Sequence, residues 1–331
     1  MSFVGYEEKV RPNDTVIIFL GHDSMMPLKM VFGCTTQTKY GALRHSEIIG
    51  KRYGSKLSTV GGKGWVYVLH PTPELWTENL PHRTQVLYFP DISLLTIELE
   101  LKPGSIVVEA GTGSGSVSHA LTRTIAPDGH LYTFEFHEQR AHLATNEFKE
   151  HGLSHIVTTT HRDVSQNGFQ LENDYVADAV FLDLPSPWNV IPHAKKVLKS
   201  SGGRICSFSP CIEQVQRVCL ELDQLGFSDI KTVECLMRTH EVKTINLTLP
   251  NLGQPCIKSD ARDPKPDKDT LERTEGGARL VDLGANYSFE EPGSQSSAGD
   301  STYPKKCAVA PRASPGHTGY LTFASLYSYH E

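Results

Sequence analysis

Hydrophobic and polar positions alternate differently in successive parts of the chain. Up to about residue 70, short apolar runs are separated by glycines, a pattern that predicts strands joined by turns. The four runs are 15–20, 29–32, 56–59 and 65–69. Strands of this length and spacing predict a small antiparallel β-barrel or sandwich, which we assign to residues 1–75.

Beyond residue 76, apolar runs of strand length alternate with segments of helical period. The predicted strands are 106–108, 131–134, 156–159, 178–182 and 204–208, and the predicted helices are 91–100, 120–125, 139–150, 192–198 and 211–225. Such alternation with short connections implies right-handed crossovers, and therefore an open parallel sheet with helices on both faces. We predict one α/β domain over residues 76–331.

A stretch rich in Pro, Gly, Ser, Asp and Lys interrupts this domain at about residues 251–315. Such a composition buries too little apolar surface to offset the entropy lost on ordering, so it predicts a disordered insertion. Strand character returns at 319–326. We expect that segment to pair with 242–247 as an antiparallel hairpin, with the insertion as its loop.

Composition and charge narrow the possible functions. No apolar run reaches the roughly 18 residues of a membrane helix, and the N-terminus lacks the pattern of a secretory signal. Seven cysteines without a Cys-x-x-Cys pair argue against a zinc site or a disulfide framework, and fifteen histidines show no metal-ligand spacing. The net charge of −6 predicts weak binding to nucleic acid unless basic residues cluster or a partner supplies them.

The first chemical motif is the glycine-rich segment 109–116, Glu-Ala-Gly-Thr-Gly-Ser-Gly-Ser, between a predicted strand and a helix. Glycines there allow a ligand to approach the backbone, and the helix start offers unpaired N–H groups. A dinucleotide-binding turn would have its third glycine at position 116, which is Ser116. The spacing Gly-x-Gly-x-Gly after an acidic residue resembles the first motif of class I methyltransferases.

Acidic residues follow the next two predicted strands. Glu135 lies 20 residues beyond Gly115, where a carboxylate accepts hydrogen bonds from a ribose diol. Asp163 and Val164 follow the third strand. An isolated Asp there fits a turn, but its position after this strand favours contact with the adenine of a cofactor.

The loop after the fourth strand reads Asp-Leu-Pro-Ser-Pro-Trp over residues 183–188. Asp183 stands at the carboxyl end of its strand, where open α/β sheets bind ligands, and the prolines stiffen the loop that follows. A simple helix cap is the alternative interpretation of Asp183.

Several segments together resemble the catalytic subunits of the eukaryotic tRNA (adenine-58-N1)-methyltransferase family. They are 111–119, 135–137, 183–188, 208–216 and 317–321, with 70–76 and 81–85 near the small domain. The likeness extends over most of the chain and lapses only at 251–315.

The resemblance implies a class I (Rossmann-like) fold, S-adenosyl-L-methionine as cofactor, and methylation of N1 of adenine 58 in the T-loop of tRNA. It also implies a nuclear enzyme that works with a non-catalytic homologue in a two-plus-two heterotetramer, whose partner contributes basic surface. Adenine N1 is already nucleophilic, so the protein needs only to align it with the methyl group. Asp183 is the implied catalytic residue: it accepts a hydrogen bond from the N6 amine and stabilises positive charge on the ring.

The predicted site residues form two sets. The cofactor set is Leu87, Glu109, Gly111, Gly113, Ser114, Gly115, Ser116, Glu135, Arg140, Asp163, Val164 and Asp183. The adenine or RNA set is Leu184, Pro185, Ser186, Ser209, Pro210, Cys211, His317, Thr318 and Tyr320. No metal is predicted.

Other functions were weighed against this one. The chain could methylate another RNA or a protein, or could be a non-catalytic tRNA-binding subunit, although such a subunit should have a degraded glycine-rich turn. An NAD-dependent oxidoreductase is disfavoured by Ser116. Cys211 could be a nucleophile, as in pyrimidine C5-methyltransferases, but a small residue at a helix start is the better interpretation.

Overall fold

The structure is a computed structural model that describes residues 3–21, 24–61, 64–171, 176–237, 240–248, 302–310 and 317–327. Fifteen strands and eight α-helices lie in these residues. The strands are β1 Thr15–Gly21, β2 Ser24–Lys29, β3 Thr35–Thr38, β4 Gly41–Arg44, β5 Lys56–Ser58, β6 Trp65–Leu69, β7 Ile106–Ala110, β8 His130–Glu135, β9 Val157–His161, β10 Ala179–Leu182, β11 Gly202–Ser209, β12 Ser228–Val233, β13 Glu241–Thr248, β14 Thr302–Val309 and β15 Tyr320–Tyr327. The helices are α1 His45–Ile48, α2 Pro73–Thr77, α3 Phe89–Glu98, α4 Ser116–Ile125, α5 Glu138–Glu150, α6 Val164–Asn167, α7 Ile191–Val197 and α8 Ile212–Gln224.

The N-terminal strands form a four-stranded antiparallel sheet in the order β2-β1-β6-β5, beside a separate hairpin of β3 and β4. Their shared core includes Val16, Ile18, Val66 and Val68, which are fully buried. The predicted strand at 29–32 is displaced to β2, and the hairpin was missed because its Thr-Thr-Gln-Thr strand has no apolar alternation. Among the described residues the sheet is open at β2 and β5, so the closed barrel stays a prediction.

The central sheet has seven strands in the order β12-β15-β11-β10-β7-β8-β9. Six are mutually parallel, and β15 runs antiparallel between β11 and β12. The predicted α/β sheet is therefore confirmed, but it is mixed instead of all parallel. Its order differs from the doubly wound order 3-2-1-4-5-6 only by this inserted antiparallel strand.

Continuous apolar runs form the middle of this sheet because helices cover both of its faces. Val107 and Phe181 pack on one face, in a core that includes Leu121 of α4 and Phe148 of α5. The adjacent residues Val108 and Val180 pack on the other face, with side chains of α7 and α8. The two-residue period of the strands thus divides each run between two hydrophobic cores.

The C-terminal strand corrects one prediction. Residues 320–327 do not pair with 242–247; they form β15, with Ile205 of β11 opposite Ala324. The reason is burial: from Leu321 to Ser325 every residue is buried, which requires a position inside the sheet with cover on both faces.

The strand at 242–247 pairs with β14 instead, in an antiparallel hairpin that belongs to a second compact unit, residues 238–314. Because β14 spans 302–309, that part of the predicted disordered insertion is a strand, and the prediction is wrong there. The remainder of 251–315 lies outside the described residues apart from position 310. In the described part of the chain, no helix is both long enough and apolar enough to span a membrane.

Candidate active site

A cavity of about 890 Å³ opens at the carboxyl ends of β7, β8, β9 and β10. This volume lies within the range of small-molecule sites. Its lining contains Thr84, Gln85, Gly111, Gly113, Phe134, Glu135, Phe136, His137, Arg140, Arg162, Asp163, Val164, Ser165, Gln166, Asp183, Leu184, Pro185, Ser186 and Asn189. Ten of the predicted site residues are therefore brought together: Gly111, Gly113, Glu135, Arg140, Asp163, Val164, Asp183, Leu184, Pro185 and Ser186.

The glycine-rich turn connects β7 to α4 with backbone conformations that favour glycine. Gly111, Gly113 and Gly115 all have positive φ, at 100°, 53° and 78°. A Cβ at position 111 would stand 2.2 Å from the Asp183 carbonyl oxygen, and one at position 113 would stand 2.7 Å from Oγ1 of Thr84. Both glycines are needed because neighbouring chain segments occupy the space of a side chain.

Glu135 ends β8 with a carboxylate that is held in place by several donors. Its Oε1 accepts from the His137 backbone N–H at 3.0 Å and from Arg140 at 2.7 Å, and its Oε2 accepts from the Gly113 N–H at 3.0 Å. Burial alone would raise the pKa of Glu135, but these hydrogen bonds outweigh it and hold the pKa below its usual range. Glu135 is therefore an ionised acceptor whose Oε2 has room for a ligand hydroxyl.

Asp163 lies at the start of α6, and its Oδ1 accepts from the backbone N–H groups of Ser165 at 3.0 Å and Gln166 at 3.3 Å. Asp163 therefore caps the start of α6 and also lines the cavity, so the two interpretations of this residue are compatible. Val164 beside it is buried and also lines the cavity. An acidic group next to an apolar side chain suits a flat ring with an exocyclic amine.

Asp183 follows β10 directly, and its backbone N–H donates to the Ala110 carbonyl at 2.9 Å. This bond extends the pairing of β10 with β7 by one step and places Asp183 against the glycine-rich turn. Burial raises the pKa of its carboxyl to about 6, because few polar groups replace the water that it has lost. The carboxyl is still mostly ionised at neutral pH.

The loop after Asp183 is anchored from outside the cavity. Pro187 begins a short 3-10 turn, and the Nε2 amide of Gln214 in α8 donates to the Pro185 carbonyl at 3.0 Å. The same Gln214 side chain accepts from the Cys211 backbone N–H at 3.2 Å. One residue of α8 therefore joins this loop to the start of its own helix, a link that no sequence pattern indicated.

The remaining residues of the predicted adenine set lie outside this cavity. They are Ser209, Pro210, Cys211, His317, Thr318 and Tyr320. They are near one another: Nε2 of His317 donates to the Pro210 carbonyl at 2.9 Å, and the rings of His317 and Tyr320 are 4.6 Å apart. Cys211 is exposed at the start of α8, as expected for a helix-capping position. Contact of this group with RNA stays a prediction.

Five members of the predicted cofactor set do not line the cavity: Leu87, Glu109, Ser114, Gly115 and Ser116. Oε2 of Glu109 accepts from Ser118 at 2.6 Å and Thr133 at 2.7 Å, and burial raises its pKa to about 7. The Ser116 hydroxyl donates to the Leu87 carbonyl at 3.0 Å. Backbone contact of these residues with a cofactor stays a prediction.

Several lining residues were absent from the predicted set. Thr84 and Gln85 come from the segment between α2 and α3, and Arg162 and Asn189 come from loops at the ends of the strands. The segment 81–85 had been noticed only for its family likeness. This segment contacts the turn over a long sequence distance: the Thr84 backbone N–H donates to the hydroxyl oxygen of Ser114, 30 residues later, at 3.0 Å.

This combination of a mixed seven-stranded sheet, a glycine-rich turn after β7 and acidic residues after β8, β9 and β10 defines a class I methyltransferase. The chain belongs to the family described as the tRNA methyltransferase complex GCD14 subunit, whose pattern matches residues 64–326.

Two curated relatives align with nearly the whole chain. The Dictyostelium discoideum tRNA (adenine(58)-N(1))-methyltransferase catalytic subunit trmt61a is 44% identical, over 95% of this chain and 96% of its own length. The Candida albicans subunit TRM61 is 37% identical, over 98% of both.

Two solved structures have the same fold. A SAM-dependent O-methyltransferase from Thermotoga maritima covers 98% of this chain and 97% of its own, with a TM-score of 0.69 and 24% identity. The tRNA (m1A58) methyltransferase TrmI from Aquifex aeolicus covers 96% of this chain and 98% of its own, with a TM-score of 0.62 and 20% identity.

The close approach at Gly111 generates a prediction with a matched control. Gly111→Ala should weaken binding of S-adenosylmethionine by about tenfold or more, because the new methyl group displaces the Asp183 backbone. Gly104→Ala introduces a side chain at a similar φ, 89°, with nothing within 4 Å. It should cost about 1 kcal/mol of stability and leave the affinity unchanged. Isothermal titration calorimetry and thermal melts separate the two effects; equal affinity losses would contradict the interpretation.

Proposed function

We propose that this chain is the catalytic subunit of an S-adenosylmethionine-dependent enzyme that methylates N1 of adenine 58 in tRNA. Relatives of that name are 37–46% identical to this chain over the aligned residues. The observation that carries the proposal is the position of Asp183, whose carboxyl faces the cavity directly beside the glycine-rich turn. A cofactor turn and an acceptor loop therefore meet at one point.

The cavity fits S-adenosylmethionine by shape and by its polar groups. Gly111 and Gly113 leave space where side chains would intrude, and Glu135 supplies an ionised acceptor for the ribose hydroxyls. Asp163, which lines the cavity with Val164, supplies an acceptor for the adenine amine. The cofactor contributes a methyl group on a positively charged sulfur. Carboxylates around the cavity favour such a cation by ordinary Coulomb attraction.

On the acceptor side, the protein must orient one adenine and tolerate positive charge on it. The ring nitrogen N1 carries its own lone pair, so alignment is the main requirement. Asp183 accepts a hydrogen bond from the N6 amine, which fixes the base edge. Its negative charge also stabilises the positive charge that develops on the ring. N1 is a pairing position, so the adenine must be unpaired and turned out of the tRNA fold to enter the cavity.

The intact site favours a catalytic subunit over a non-catalytic tRNA-binding homologue. A subunit that only binds RNA has no need of three positive-φ glycines, of which two prevent clashes at the cavity. A protein-directed methyltransferase is disfavoured by the loop 183–188, which matches the tRNA-modifying family.

We further propose that the chain works with a non-catalytic homologous subunit in a two-plus-two heterotetramer and acts in the nucleus. The net charge of −6 supports a shared RNA-binding surface, since a polyanion requires basic residues that this chain does not have in excess. The nuclear location rests on the family likeness.

The direct test of the activity uses labelled S-adenosylmethionine and unmodified tRNA transcripts, with and without the homologous subunit. Label should appear at adenine 58, and a transcript with guanosine at that position should stay unlabelled. The partner should raise the rate, because it supplies RNA-binding surface. Label on a different base would refute the site specificity while leaving the methyltransferase activity in place.

The role of Asp183 can be separated from folding and cofactor binding. Asp183→Ala should lower the rate of methyl transfer by about 100-fold or more, the usual cost of losing one charge-stabilising group. Affinity for S-adenosylmethionine should change by less than about threefold, because Glu135 and Asp163 are untouched. Asp183→Asn preserves the shape of the side chain and one acceptor oxygen. Its rate of methyl transfer should therefore lie between those of the unsubstituted chain and the Ala variant. Parallel loss of binding and rate in the Ala variant would contradict the acceptor role.

A further inference from the structure

A buried polar cluster contacts the glycine-rich turn but does not line the cavity. His119 of α4 and His151, the residue after α5, are 1% and 5% exposed. We call them the histidine pair. Phe3 stacks on the His151 ring at 4.1 Å, and Trp76 meets it edge-on at 4.7 Å. Such an environment is costly for polar groups unless each one has a hydrogen-bond partner.

The hydrogen bonds of the histidine pair fix where its protons lie. Nδ1 of His119 is 2.6 Å from the Gly115 carbonyl oxygen, which only accepts, so Nδ1 carries a proton. Nε2 of His119 is 2.9 Å from Nδ1 of His151. Burial lowers the pKa of His119 to about 4 and that of His151 to about 2, so both rings are neutral at physiological pH. His151 therefore donates to His119, and His119 donates to the turn.

A second connection reaches the neighbouring carbonyl of the turn. The Arg83 guanidinium donates to the Ser114 carbonyl at 2.9 Å and to Glu147 of α5 at 3.1 Å. Both side chains are nearly buried, at 12% and 13% exposed. Two successive carbonyls, those of Ser114 and Gly115, are thus each held through one intermediate side chain by a residue at the C-terminal end of α5.

We propose that the histidine pair positions the glycine-rich turn for S-adenosylmethionine, with His151 fixing the ring of His119 and His119 fixing the Gly115 peptide. This inference rests on the cofactor site proposed above. It goes further by assigning a function in cofactor binding to two residues that do not line the cavity.

A metal centre is the competing interpretation, since ligand atoms of His119, Glu147 and His151 lie within 4.8 Å of one another. The structure favours hydrogen bonding. Glu147 is already paired with Arg83, and the 2.9 Å between the two imidazole nitrogens is a hydrogen-bond distance.

The test compares variants of the full chain that keep or remove the donor to Gly115. His119→Asn places an amide N–H close to the position of Nδ1, whereas His119→Leu has none. The Leu variant should weaken S-adenosylmethionine binding about five- to tenfold, the range of one net hydrogen bond, and the Asn variant should recover most of the loss. His151→Phe keeps the aromatic packing and removes the donor to His119, and His151→Asn is its matched rescue.

The readouts are calorimetric affinity, the melting temperature, and KM for the cofactor against kcat. Positioning predicts a higher KM with little change in kcat, and rescue by Asn at each site. A purely structural role would lower the melting temperature of every variant and leave the affinity of the folded protein unchanged, which would overturn the proposal. One equivalent of zinc in the purified chain, lost in the Leu variant, would also overturn it. Binding by the unmodified chain tests the cofactor assignment separately.

Discussion

The backbone of Gly111 passes so close to that of Asp183 that a single methyl group at position 111 would stand 2.2 Å from the Asp183 carbonyl oxygen. The contact arises because β7 and β10 are neighbours in the sheet, and the Asp183 N–H continues their pairing to Ala110. It brings the proposed cofactor-binding turn and the proposed acceptor loop to the same place. Methyl transfer requires this proximity, since the two reacting atoms must meet in line.

Three carboxyl groups near this contact differ in their hydrogen bonds and therefore in their pKa values. Glu135 is ionised because three groups donate to it, whereas Asp183 is paired less and has a pKa near 6. Burial raises the pKa of Glu109 to about 7, and its Oε2 accepts from the hydroxyl groups of Ser118 and Thr133. In the proposed function these three carboxyl groups have different tasks: Glu135 binds the cofactor, Asp183 stabilises the charge that develops on the adenine, and Glu109 supports the turn.

Local patterns in the sequence were enough to predict the elements that build the site. The glycine-rich turn, Glu135, Asp163 and Asp183 each follow an apolar run of strand length, so their convergence at one sheet edge follows from parallel pairing. The predicted helices and strands of this region occur with shifts of a few residues at their ends.

Pairing between strands that are far apart in the sequence could not be predicted from local patterns. The position of β15 inside the sheet depends on contacts between residues more than a hundred positions apart, as with Ile205 and Ala324. β14 was missed because its sequence, with Pro304 and two lysines, has no alternation that distinguishes it from a loop. The histidine pair has no recognisable sequence pattern either. Its role depends on long-range hydrogen bonds, which link the Gly115 carbonyl through His119 to His151 after α5.

The pH dependence of kcat/KM for tRNA tests most directly whether the Asp183 carboxylate is the group that serves the acceptor. The ratio should be level above about pH 7 and fall about tenfold per pH unit below about pH 6, because protonated Asp183 no longer stabilises positive charge. Glu109→Gln, which removes a second buried carboxyl group whose pKa is raised to about 7, should retain that fall. Cofactor affinity should stay nearly constant over the same range. A level profile down to pH 5, with the cofactor still bound, would contradict the assignment of Asp183.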